Sequence, residues 1–212
     1  MPTIPPGSRR VHVRRAVPVA LRAVPVALTV AAAGLLTACA STTAPPSAHG
    51  SASVVPGMAG LTACQSAELK VTVDTSQTGG AAGSVYYPVN FSNTSGTACG
   101  LYGYPGMSLV TAAGNTGRQI GAAAQQNPAF GRMPVRLLAG GVAHAWLQVA
   151  QAGNYPASAC QPVNAHWLRV LPPGGTVASY VDVSFSACAS ASTPLLTVTP
   201  VRSGHGVRGV TP

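Results

Sequence analysis

The sequence predicts an all-β domain: an antiparallel β-sandwich of immunoglobulin-like architecture, with about seven to nine short strands and two disulfides. Three observations carry that expectation. Apolar residues recur at every second position over several short stretches. Segments rich in Gly, Pro and Asn, such as TSQTGGAAGS, GNTG and PPGG, punctuate the intervals. No window carries an apolar stripe of helical period between caps.

Taken in chain order, the first segment stands outside that domain. Five of the twelve basic residues (Arg9, Arg10, Arg14, Arg15, Arg22) precede position 23, and Ala23 to Leu36 reads AVPVALTVAAAGLL. The apolar stretch is too short to span a bilayer comfortably and Pro25 interrupts it, so residues 1–38 read as an export signal. Ser8-Arg9-Arg10 is a weak twin-Arg feature that leaves the export route open between Sec and Tat. The signal ends in Leu36-Thr37-Ala38-Cys39, which resembles the lipobox of bacterial lipoproteins. That resemblance implies an acylated Cys39 as the first mature residue. Two acyl chains supply the two hydrophobic signals that stable anchoring requires. The expected location is the outer face of the cytoplasmic membrane, or the secreted fraction if Cys39 carries no lipid.

Residues 39–60 then form the lipidated Cys39 and a tether of Ala, Ser, Thr, Pro and Gly without a single Lys, Arg, Asp or Glu after Cys39. Such a composition buries too little apolar surface to fold. The sandwich is expected over residues 61–202. Leu69, Val71 and Val73 alternate with polar neighbours, as do Val85, Tyr87, Val89 and Phe91. Further strands are expected at Met107–Ala112, Pro134–Leu138, Val142–Val149, His166–Leu171, Val177–Phe185 and Leu195–Val201. Residues 203–212 read as a disordered tail.

Four Cys remain in the domain, and an even number in an exported chain reads as two disulfides with three alternative pairings. Sequential pairing, Cys64–Cys99 and Cys160–Cys188, closes the shorter loops and is favoured. A Cys99–Cys160 bridge would enclose Trp146 in the manner of an immunoglobulin. Trp146 lies too late in that interval, however, and Ser158 stands where the tyrosine corner would be, so this is not a standard immunoglobulin domain.

The densest run is NTSGTACGLYGYPG, Asn93 to Gly106. Asn93 to Gly96 suits a type I turn, and Tyr104-Pro105-Gly106-Met107 suits a type II turn. Between them Cys99 ties back to Cys64, while Gly100 and Gly103 permit close backbone approach. The run reads as a disulfide-fastened corner, with Tyr102 and Tyr104 as its candidate contact surface.

Beyond position 38, seven scattered basic residues stand against three acidic ones, a formal net of +4. A nucleic-acid binder needs a basic stripe, and none is present. The only carboxylates are Glu68, Asp74 and Asp182, and no G-x-S-x-G accompanies His144 or His166, the histidines of the expected strands. The Cys are tens of residues apart, without C-x-x-C or H-x-x-x-H. No catalytic residue, metal ligand or cofactor is therefore expected.

The run N-x-S-G-x-x-C-x-L-x-G-Y-P-G, carried by Asn93 to Gly106, resembles the signature of an actinobacterial family of exported lipoproteins catalogued as a domain of unknown function, number forty-two thirty-two. Other pieces agree in order: Cys64, Tyr87-Pro88-Val89-Asn90-Phe91, Leu137-Leu138-Ala139-Gly140-Gly141, Cys160, Leu168 to Gly174, and Cys188. Ala139 stands where that family usually has Pro. The resemblance covers roughly Leu61 to Val201. It implies a β-rich, secreted or lipid-anchored domain with paired Cys, and it brings no activity and no site residues. The expected function is a non-enzymatic envelope module. Its partners are the membrane through Cys39, and another envelope protein or a cell-wall polymer through the domain. The alternatives are a hydrolase of cell-wall material or a metal-binding envelope protein.

Overall fold

A computed structural model describes residues 54–75 and 79–206. The export signal, Cys39, the tether up to residue 53 and the tail from residue 207 lie outside the described residues.

Thirteen strands form among the described residues. The larger sheet contains β1 (Leu69–Val73), β2 (Gly79–Ala81), β3 (Ser84–Asn93), β7 (Gln125–Gln126), β9 (Val142–Ala150), β12 (Leu196–Val198) and β13 (Arg202–Ser203). Its main path runs β1-β3-β9-β12-β7, with β2 paired to β3 and β13 to β9. The second sheet runs β11 (Ser179–Cys188), β10 (Pro162–Leu171), β5 (Gly106–Val110), β6 (Gln119–Ile120). A separate two-stranded ribbon joins β4 (Cys99–Tyr102) to β8 (Pro134–Leu137). The strands pair antiparallel except for the two-residue contact of β12 with β7, which is parallel, as is the isolated bridge of Ala63 to Gly100.

The alternation of β3 explains its central place. Phe91 lies opposite Ala143, Val89 opposite Ala145 and Tyr87 opposite Leu147 on β9. Phe91 and Val89 thus meet alanines on the neighbouring strand, which is one way cross-strand pairs fill a face without voids. The core lies between this face and the inward residues of the second sheet, Leu168, Val170, Val183 and Phe185. The rings of Tyr87 and Phe185 meet across the sheets, with centroids 4.8 Å apart and planes tilted by 40°. Full burial of Phe91, Leu147 and Leu168 stabilises by about 1.5–3 kcal/mol each. A register shift between Ala165 and Trp167 lets Ala165, Leu168 and Val170 all point inward and leaves His166 outside.

Both sequential disulfides form, and they sit at opposite ends of the sandwich. Cys64–Cys99 closes the end where Ser92 pairs with Val142. Cys160–Cys188 closes the end where Ser84 pairs with Ala150, packed with Ala152 and Leu195 in a small second cluster.

Two expected boundaries move. The tether was expected to run to residue 60, but Val54 bridges Thr62 and Val55 is buried, so residues 54–60 belong to the domain. The tail was expected from residue 203, but Ser203 completes β13, and Gly204 and Gly206 donate to the Val142 carbonyl and the Asn90 side chain. The reason is shared: each terminal segment lies on a place where the sandwich leaves backbone groups or an empty glycine face to be covered.

Candidate functional site

The Asn93–Gly106 corner is built around one buried amide. Asn93 Nδ2 donates to the carbonyls of Thr97 at 2.8 Å, Leu138 at 3.1 Å and Leu137 at 3.3 Å. Its Oδ1 accepts from the Ser95 backbone N–H at 2.9 Å and the Ser95 hydroxyl at 2.8 Å. The Asn93 backbone also exchanges bonds with Gly140 and Gly141. One side chain thereby joins the corner to the β8–β9 turn. The type I turn expected at Asn93 to Gly96 is not what closes this bend; the backbone carbonyl of Asn93 accepts from Gly140, and an Asx turn to Ser95 takes over.

The expected type II turn also fails. It would require a positive φ at Gly106, but Gly106 is already in β5, paired with Leu171, where an added Cβ would lie 3.4 Å from the Leu171 Cβ. Gly103 supplies the left-handed residue instead, with φ +98°, directly after β4 ends. Gly100 has the predicted role of close approach: a Cβ there would meet Val55 Cγ2 at 2.6 Å.

Tyr104 is not a free contact residue. Its hydroxyl lies 2.8 Å from the Asn127 carbonyl and 3.2 Å from that of Phe130, and the Arg132 guanidinium sits 5.2 Å above its ring. It fastens the 127–130 loop. Tyr102 is half-buried on the outer face of the ribbon, opposite Pro134.

The titratable groups lie apart. Glu68 occupies a short 3₁₀ turn and accepts from the Gln65 N–H at 3.0 Å; Asp74 follows β1, and Asp182 is on β11. His144 is on β9, with Nδ1 2.9 Å from the Gly204 carbonyl and its ring edge-on to Trp146, whereas His166 is on β10 of the other sheet. Among the described residues, no three His, Cys, Asp or Glu gather as a metal site. A cleft of about 250 Å³ opens between the sheets near the second disulfide, lined by Val85, Tyr87, Gln151, Ser184 and Phe185. Burial raises the Tyr87 phenol above its usual 10.0. A second depression of about 400 Å³ brings Arg118, Gln119, Asn164 and His166 together.

No helix of the described residues is long and apolar enough to cross a membrane, and the two disulfides point to an oxidising, extracytoplasmic environment. No curated protein matches the chain, and no solved structure does. A family model described as a domain of unknown function (DUF4232) matches residues 64–202, from the first disulfide Cys through the corner and both bridges to β13. The chain belongs to that family, the domain of unknown function DUF4232.

Proposed function

We propose that the protein is a non-catalytic module of the cell envelope, held by a lipid on Cys39 at the outer face of the cytoplasmic membrane. The observation that carries this reading is the pair of disulfides in a domain that follows a signal ending in Leu36-Thr37-Ala38-Cys39. Disulfides need an oxidising compartment, and the signal supplies the route to one. The non-catalytic part is supported by the scatter of ionisable groups: the two strand histidines lie on different sheets, and the three carboxylates lie on three different elements. The domain then acts by contact, with another envelope protein or a cell-wall polymer.

Intact mass of the mature protein tests the anchor. The expected result is acyl mass on Cys39 and release of the domain from membranes by Cys39→Ala. An unacylated Cys39, or a Cys39→Ala protein that stays in the membrane fraction, overturns the anchored reading. Turnover of peptidoglycan fragments by the purified protein, abolished by substituting His144 or His166, would replace the contact role with hydrolysis.

A further inference from the structure

The outer face of the β4–β8 ribbon carries an exposed surface that the core does not use. Gly100 pairs with Arg136 and Tyr102 with Pro134, so these four residues share one face. Leu138 continues the same parity after β8 and is 58% exposed; Met133, just before it, is 54% exposed. The N-terminal hairpin lies on this face. Val55 fills the space beside Gly100, Gly57 approaches Pro134, and Met58, Leu61 and Arg136 line one depression. Val54, the first described residue, is 67% exposed at its edge. The result is one surface of Val54, Met58, Tyr102, Pro134 and Leu138 with the Arg136 guanidinium among them.

We propose that this ribbon face rests on the anionic lipid surface beside the anchor. The inference builds on the lipid-anchor reading above. Two observations favour a bilayer as the occupant. First, the chain leaves the domain from this face: fourteen residues lie between Cys39 and Val54, and the fifteen steps from one to the other reach no more than about 54 Å at full extension. Along the chain, this end of the domain is therefore the one nearest the anchor. Second, the face sets the exposed Arg136 among exposed apolar side chains, with Arg132 in the exposed segment that leads into β8. All three carboxylates are on other elements, Glu68 engaged in its own turn. An anionic surface attracts such a face, and apolar side chains can enter its headgroup region. Val163 serves as the distant control, because β10 finishes at Leu171 beside Gly106 at the corner and Val163 lies eight residues back along it, about 26 Å away. The exposed apolar residues at the two ends can therefore be told apart.

The test uses the full-length acylated protein in vesicles of phosphatidylglycerol and phosphatidylcholine, with a photo-crosslinking residue at Leu138 or Val163. Phospholipid adducts are expected from Leu138 and not from Val163. Arg136→Gln should lower the Leu138 yield about fivefold in the anionic vesicles, with little change in phosphatidylcholine alone. All these positions are exposed, so the fold tolerates the changes. Equal adduct yields at Leu138 and Val163 on a chain whose Cys39 is acylated overturn this surface and leave the anchor standing. Capture of protein or glycan in place of lipid when the Leu138 probe is fired in intact cells overturns it as well. An unacylated Cys39 in the same sample removes the anchor reading and this inference with it.

Discussion

Asn93 is 2% exposed, and three backbone carbonyls depend on its two amide hydrogens. Asn93→Ala removes those donors and strands buried acceptors, at about 1–3 kcal/mol. Asn93→Asp keeps the shape but aims a carboxylate at the same carbonyls, so it should destabilise more than Ala at neutral pH. Burial and repulsion would raise that carboxyl above its unfolded value, so the deficit is full above the raised value and narrows as pH falls from there to about 4, by which point one proton has restored one donor. Urea unfolding at neutral and acid pH measures this; an aspartate variant as stable as the parent at neutral pH would refute it. At this scale the sequence was partly legible. The run of Gly, Pro, Tyr and Cys announced a constrained corner, and Gly100 has the close contact foreseen for it. What could not be read was which groups close the bend, because Asn93 reaches carbonyls 44 and 45 positions away. Tyr104 is hidden in the same way: its partners are backbone atoms of 127 and 130, which leave no pattern in side-chain identity.

The long strands announced themselves because one face of each is buried and the other is not. β10 and β11 overlap the stretches that alternation put there, but β10 starts at Pro162, four residues before the expected His166, and β11 runs from Ser179 to Cys188, leaving out Val177, which is 65% exposed. β4 escaped notice because Cys99, Gly100 and Leu101 are buried consecutively, which erases the period of two. The edge strands β2, β6, β7 and β13 are two or three residues long and too short to carry any period. β13 gives a direct check on how much such a short element contributes. Ending the chain after Val201 removes its pairing with His144 and Ala143, the Gly204 bond to Val142, and the Gly206 bond to Asn90. At a net 0.5–1.5 kcal/mol per hydrogen bond the loss should be about 2–4 kcal/mol. A shift in stability below about 0.5 kcal/mol would mean that residues 202–206 merely lie on the surface.

For the whole molecule, the two disulfides define two ends, one with the corner and N-terminal hairpin and one with the second cluster. The bridges enclose 35 and 28 positions and share no packing neighbours in the two apolar clusters. On the loop-entropy account each contributes about 3.5–4 kcal/mol by constraining the unfolded chain. Separated sites add to within about 0.5 kcal/mol, and a strand of ten residues, about 33 Å long, lies between these ends. Replacing both Cys of one bridge by Ser should therefore leave a folded, weakened protein, whichever bridge is chosen. Replacing all four should cost about 7–8 kcal/mol, comparable to the whole stability of a domain this size. That variant should be unfolded or nearly so at 25 °C, and reduction of the parent should do the same. Denaturant titrations of the two double-Ser variants and the four-Ser variant decide the matter. A four-Ser protein that retains a cooperative transition within 2 kcal/mol of either double variant would show that the ends are coupled. The core between the sheets, and not the two fastened ends, would then carry the fold.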